Sequence, residues 1–575
     1  MFGRMRIFSW KWTRLSCAVA AIFFASCVTS SYPPQVVSGV CQNISEGTLP
    51  EEMDLSKLAP ETLLSAYLKI NTTNPPGCEG KAARFWKKFF DRFGIESEII
   101  PLPFGHDRAN IIARVRGNGK GGRPVLLLNH MDVVPAEISR WIADPFGGEI
   151  RGGFIYGRGT FDMKATGTYQ ALMLARAKVQ KWDLNRDLIF LGTTNEEGPF
   201  DPSKGVISGA EWMLKNRLED LGNPEFVITE GGFIPLEKGK PLRWEVSPGE
   251  KARIEMTFRV SPELKDPSAR LKAMLAAAEK IMSGFKGRMD IADPSQHGRI
   301  LKDPLLRANA MTTHALTILG GVGKGNTIPA EAEAEVVFVD GARHMKLIEA
   351  KSKKLLSSGV KLVSFKKTNQ DLNVVLKASG EAGHAAVPAL NGGANVLLVK
   401  SLMDLDGAVA AKGIPAKEMI LKRLVSVSEE RGIDSDEFVV DFRLLPGEAR
   451  DQILSEIKSL INGMNVGLII TDDAVIAEAS STKTALFDAI IAANKHFYPN
   501  TKFRAPVETP IITSTTDAAY FRQRGMTVYG FEPIPLDPED EHSHGDNERI
   551  PVSSLHFATD VTEFYLKRLL GVSSR

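Results

Sequence analysis

From Leu55 onward, apolar positions recur at helical spacing and then fall into short unbroken runs, an alternation that predicts a doubly wound α/β sheet. An amphipathic helix pattern begins at Leu55, breaks at the turn NTTNPPG (71–77) and is followed by a second helix, KAARFWKKFFDRFG (81–94). Three later runs read as buried strands: PVLLLNH (124–130), DLIFLGTTNEE (187–197) and EFVITE (225–230). Each ends in a side chain able to hold a metal. Ligands of open α/β sheets gather beyond the carboxyl ends of the strands, so these side chains can converge.

The middle of the chain has another rhythm. A strand, a helix, two strands and a helix occur once through KARIEMTFRV, ARLKAMLAAAEKIM, ALTILGG, AEAEVVFV and HMKLIEAKSKKLL. The same order returns through DLNVVLKASG, ANVLLVKSLMDL, RLVSVSEE, EFVVDFR and ARDQILSEIKSLI. This matched order predicts a duplicated α+β module inserted into the α/β domain. The expected division is a first catalytic part over 55–244, an inserted domain over 245–475 with copies at 245–360 and 361–475, and a second catalytic part over 476–575. That last part opens with the helix ALFDAIIAANKHF and contains the strand MTVYGFEPI.

Composition changes this picture at the N-terminus. The chain has 575 residues, 43% apolar and 24% charged, with 71 basic against 69 acidic side chains. Such near-neutrality gives no reason to expect nucleic acid or an anionic membrane surface as a partner. Residues 1–27 stand apart, with Arg4, Arg6, Lys11 and Arg14 preceding the apolar stretch 15–25. That stretch is shorter than the roughly 20 apolar residues a bilayer requires and suits a secretory signal. Its end, Phe24-Ala25-Ser26-Cys27, resembles a bacterial lipoprotein signal with Cys27 as the lipidated residue. The expectation is export, either periplasmic or membrane-anchored through Cys27, otherwise secreted. Residues 28–54, rich in Ser, Pro and Gly, read as a tether. Cys41 and Cys78 remain as candidate disulfide partners in an oxidising compartment. No CxxC or Cys/His zinc spacing exists, so any metal falls to histidine and carboxylates.

Five candidate ligands stand at segment ends: His130, Asp162, Glu197, Glu230 and His544. Asp132, two residues after His130, is placed to hydrogen-bond the imidazole and fix its tautomer. Asp162 sits in GRGTFDMK at a helix start, where an acid also serves as a plain cap. Adjacent carboxylates such as Glu196 and Glu197 repel, so either one is solvated or the pair divides metal binding and proton transfer. Hydrolysing an amide requires an activated water, a polarised carbonyl and a proton shuttle, and two zinc ions bridged by a carboxylate supply the first two.

Taken in order, HMDVVP, GRGTFDMK, NEEG, TEGG and HGDNERI resemble the co-catalytic zinc hydrolases that include glutamate carboxypeptidase, aminoacylase, carnosinase and the vacuolar Gly-X carboxypeptidase. The likeness also takes in NTTNPPG. It implies an α/β zinc-peptidase-like catalytic domain, a mixed sheet flanked by helices, carrying an inserted α+β lid. It implies that Asp162 bridges two zinc ions, with His130 and Glu230 completing one site and Glu197 and His544 the other; Co2+ or Mn2+ suits the same ligands. Glu196 becomes the general base, and the Asp162–Met163 peptide is expected cis. His542 is the rival of His544, which the following Gly-x-Asn-Glu favours. In the lid, His384 of GEAGHAAVP is expected to meet the oxyanion, and Asn326 of NTIP and Arg443 of DFRLLPG to hold a substrate carboxylate. Asn326 as a turn cap and Arg443 paired with a surface acid are the alternatives. Two lid copies in one chain imply a monomer. The implied reaction is cleavage of small peptides, as a dipeptidase or carboxypeptidase. N-acyl amino acid hydrolysis is the alternative, and a non-catalytic zinc-binding relative the remote one.

Overall fold

Six strands form the sheet that carries the candidate ligands, in the order Glu96–Pro101, Ala109–Val115, Leu188–Thr193, Val125–His130, Phe226–Thr229 and Thr527–Gly530. The first three are antiparallel neighbours and the last four run parallel, so the sheet is mixed. The computed structural model describes residues 41–572 apart from 52, 106, 199, 201–203, 289–310, 312, 320–326, 340, 347, 351–358, 381–382, 385–392, 411–418, 427–435 and 501–503. The expected export signal with Cys27, the expected tether up to residue 40, and Asn326 therefore lie outside the described residues. Cys41–Asn43, a short 3-10 turn, belongs to the unit Met1–Asn43, and the sheets and helices belong to the unit Ile44–Arg575. Cys41 and Cys78 are each disulfide-bonded. No helix among the described residues is long and apolar enough to cross a membrane.

The central strands are apolar at nearly every position because both faces are covered. Leu127, Phe190 and Ile228 face Trp86 and Phe89 of the helix Glu79–Arg92, together with the helices Ala165–Val179, Ala485–Phe497 and Val552–Leu569. Leu126, Leu128, Ile189, Leu191 and Val227 face the other way, toward Met213 of Gly209–Asn216 and Phe521 of Ala518–Gln523. A buried aliphatic side chain contributes about 1.5–3 kcal/mol, against about 1 kcal/mol for an ordinary hydrogen bond. Apolar burial therefore fixes these strands, and the polar residues at their ends are carried into place.

The chain leaves this domain later than residue 245. Trp244 and Val246 pack in the catalytic core, and Gly249–Glu250 pairs with Ile511–Ile512, whereas Ala252 belongs to the lid core. The lid consists of two four-stranded antiparallel sheets, but they do not follow the sequential division at 360/361. One sheet is ordered Thr313–Leu319, Glu437–Leu444, Ala252–Val260, Val466–Asp473; the other Val360–Thr368, Asp371–Ser379, Glu331–Phe338, Met419–Ser426. Numbered along the chain, each sheet has the order 2-3-1-4. The first has the helices Pro267–Gly284 and Arg450–Leu460 after its first and third strands. The second has helical residues after the turn Gly341–His344 and the helix Gly393–Ala410 at the same places. Both are ferredoxin-like βαββαβ units. The duplication is thus visible, and it is nested: the second unit is inserted between the second and third strands of the first. Its physical basis is shared burial, since both sheets and the helices Pro267–Gly284 and Gly393–Ala410 contribute to one core.

Candidate metal centre

Three of the four parallel strands, Val125–His130, Leu188–Thr193 and Phe226–Thr229, end at one edge, and the residues at and after their ends meet there. His130 closes its strand with its ring almost wholly buried. Its Nδ1 lies 3.0 Å from the carbonyl oxygen of Asp132, to which an N–H there donates, so Nε2 faces the acids. That Nε2 is 3.0 Å from Asp162 Oδ1 and 3.6 Å from Glu230 Oε2. On the far side, His544 Nε2 is 3.2 Å from Asp162 Oδ2 and 3.0 Å from Glu197 Oε2. Each imidazole therefore addresses a different oxygen of Asp162 and has one further carboxylate of its own. Among the described residues it is His544, not His542, whose ring reaches these acids. The Glu196 carboxylate joins the first group, within 4.8 Å of both His130 and Glu230 ligand atoms.

The Asp162 loop is held by a residue from the other end of the chain. Glu548 Oε2 accepts from Arg158 Nη1 at 2.8 Å and from the Gly159 N–H at 2.8 Å. Its Oε1 accepts from the N–H groups of Phe161 at 2.7 Å and Asp162 at 3.1 Å. Gly159 has φ of +84°, and a Cβ there would lie 2.5 Å from Val133 Cγ1, so the turn admits no side chain. The Asp162–Met163 peptide is cis, as expected. Arg158 Nη2 also donates to the Gly545 carbonyl at 2.8 Å, tying the His544 loop to the same clamp. Removing one member of a buried ion pair costs about 3–5 kcal/mol. Glu548→Ala should lower the urea unfolding free energy by that amount and weaken metal binding, because both ligand loops lose their anchor.

Asp132 does not act through the contact expected of it. Its carboxylate is 3.8 Å from His130 Nδ1, and it accepts instead from the N–H groups of Glu196 and Glu197, each at 3.1 Å, and from Asn74 Nδ2 at 2.8 Å. Three N–H donors converge on that carboxylate, and the carbonyl of the same residue is left to orient the imidazole.

The electrostatics describe a cluster of acids short of positive charge. Burial pushes Glu197 and Glu230 up to about 7, and neighbouring Asp162 adds to the effect. Burial, then Glu230, raises Glu196 well above the ordinary carboxylate range. Burial alone would lower the histidines. The acids outweigh it, raising His130 well above its usual value through Glu230 and Asp162, and His544 to about 11 through Asp162 and Glu197. Burial also works to raise Asp162, but the two imidazoles overcome it and hold the carboxyl far below its usual range. Hard oxygens and imidazole nitrogens in this arrangement fit divalent cations, whose charge would offset the crowded carboxylates.

Two further buried acids beneath the site carry no signal in the sequence beyond their presence. Asp517 accepts from Thr193 Oγ1 at 3.0 Å and from Ser208 Oγ, and burial pushes it to about 7. Glu532 accepts from Thr166 Oγ1 at 2.6 Å and from the Gly231 N–H at 3.3 Å, beside Glu230, and burial pushes it to about 8.

The lid residues are placed less closely. Thr327 pairs with His384 and Ile328 with Gly383 in a short antiparallel ladder; the His384 side chain lies outside the described ones. Arg443 is buried, its Nε 2.7 Å from Asp441 Oδ1 and its Nη2 3.3 Å from Oδ2 on the same strand. Asp441 also accepts from Arg253. Arg443 is thus paired with an acid, but a buried one and not one at the surface.

Residues 126–568 match the model of peptidase family M20/M25/M40. The chain belongs to this family. It is 32% identical over 202 residues to a succinyl-diaminopimelate desuccinylase of Methylorubrum extorquens, covering 34% of this chain and 50% of that one. It is 26% identical over 274 residues to aminoacylase-1 of Sus scrofa, covering 48% and 63%. The chain spans about half the length of the first of these curated relatives. Its fold is similar to that of the M20 family metallo-carboxypeptidase Sso-CP2 from Sulfolobus solfataricus, with a TM-score of 0.51 at 14% identity, over 88% of this chain and 98% of that one.

Proposed function

We propose that this chain is a metal-dependent hydrolase that cleaves the amide bond of small peptides, as a dipeptidase or carboxypeptidase. The observation that carries the proposal is the placement of two imidazoles on opposite oxygens of Asp162, each with its own second carboxylate. His130, Asp162 and Glu230 would hold one zinc ion, and His544, Asp162 and Glu197 the other, with Co2+ or Mn2+ as substitutes. Such ions supply Lewis acidity, polarising the amide carbonyl and rendering a water acidic enough to attack near neutral pH. Glu196 takes the proton of the attacking water and passes it to the departing amine. Asp132 holds the base by accepting the N–H groups on either side of the Glu196–Glu197 peptide. His384 would meet the developing oxyanion from the lid of the same chain, Asn326 and Arg443 the substrate carboxylate, and the enzyme would act as a monomer.

N-acyl amino acid hydrolysis is the second reading, favoured by the curated relatives, which are named as a desuccinylase and an aminoacylase. Export is part of the proposal, supported by the disulfide state of Cys41 and Cys78, which persists in oxidising compartments. The deciding experiment is a screen of metal-loaded protein against dipeptides, tripeptides and N-acyl amino acids, following release of free amine. Turnover of peptides is expected; turnover confined to acyl amino acids selects the second reading, and none on either class contradicts both.

A further inference from the structure

A buried cation lies beneath the base, joined to it by hydrogen bonds alone. Arg108, its side chain 6% exposed, immediately precedes the strand Ala109–Val115. Its Nη2 donates to Asn74 Oδ1 at 2.6 Å and to the Pro76 carbonyl at 2.9 Å. Its Nη1 donates to Asn195 Oδ1 at 2.8 Å and to Glu79 Oε1 at 3.1 Å. Asn74 passes the connection on, donating through Nδ2 to Asp132 Oδ2 at 2.8 Å and to Asn195 Oδ1 at 2.9 Å. Asp132 then receives the N–H groups of Glu196 and Glu197. Asn195 stands directly before the base with φ of +56°, a left-handed conformation that asparagine tolerates better than most residues. Its own N–H donates to Glu79 Oε1 at 3.3 Å.

We propose that Arg108 is a positioning residue for amide hydrolysis: its guanidinium fixes Asn74 and Asn195, and through them Asp132, so that the Glu196–Glu197 segment presents one carboxylate as base and the other as ligand. Only a planar fork with several donors spans two amide oxygens, a backbone carbonyl and a carboxylate at once; the single ammonium of lysine cannot. Glu79 offsets the buried charge without reaching the site itself. The device therefore lies in the NTTNPPG loop and the residue before the second strand, both remote in sequence from the carboxylates they orient.

The proposal rests on Glu196 as the base, so Glu196→Gln is measured alongside. Arg108→Lys and Asn74→Ser are compared with wild type in kcat, KM, metal content and thermal unfolding. Partners that orient catalytic groups typically matter by about 10–100-fold, and the expected result is a kcat loss of that size in each variant, with full metal content and KM within about twofold of wild type. Because both act through one chain of bonds, the double variant should be no worse than the poorer single, whereas independent effects would multiply. A folded Arg108→Lys or Asn74→Ser with kcat close to wild type, a loss confined to KM, or multiplying losses overturns the proposal. Asn74→Ser alone decides if Arg108→Lys does not fold. Near-normal turnover by Glu196→Gln instead removes the reading of the base on which the proposal stands.

Discussion

Glu196→Gln is expected to bind metal as wild type does and to lose about 10²–10⁴-fold in kcat, the share of catalysis that proton transfer supplies. The substitution keeps the shape of the side chain and the backbone N–H bonded to Asp132, so the neighbouring ligand Glu197 stays oriented. What disappears is an oxygen able to take a proton from water. Glu196 is half-buried and is the carboxylate that joins Glu230 and His130 within 4.8 Å, so no other group stands ready in its place. Steady-state kinetics with metal analysis on the same sample checks both halves; normal turnover would show that another group is the base.

Asp162→Ala should abolish both metal binding and turnover. The two imidazoles converge on opposite oxygens of this one carboxylate, and no other acid among the described residues contacts both. A ligand that binds only the folded state stabilises it by about 4 kcal/mol at roughly a thousandfold excess over its Kd. Added zinc should therefore raise the melting temperature of the wild type markedly and leave Asp162→Ala nearly unmoved. A variant that still gains stability from zinc would place the ions elsewhere.

His130, Glu197 and Glu230 are legible as candidate ligands because each ends or follows a buried strand run, and Asp162 because it follows a tight glycine turn. His544 follows the polar stretch DPEDEHS and is found only through HGDNERI. VLLLNH, LIFLGT and FVIT are buried on both faces, so their last residues have to emerge at one edge. Long-range pairing is not legible. The repeated β-α-β-β-α rhythm is real, yet nothing local reveals that Glu437–Leu444 pairs with Ala252–Val260 across an inserted unit. The strands Val360–Thr368 and Val466–Asp473, needed to complete each sheet, carry weaker apolar runs that do not stand out from the sequence. Glu548 is in view within HGDNERI, but its bonds to Gly159, Phe161 and Asp162 cross nearly the whole catalytic domain. Asp132 is recognisable as a partner of His130, while the target of its carboxylate depends on where Asn74 and the Glu196 backbone lie. Chemistry is readable from residue type and spacing; hydrogen-bond partners distant in sequence are not.

The most direct test of the account is the metal content of dialysed, zinc-loaded wild type, Glu196→Gln and Asp162→Ala measured together. Two ions per chain are expected in the first two and none in the third. A single ion in the wild type, or two retained by Asp162→Ala, would contradict a dinuclear centre bridged by that carboxylate.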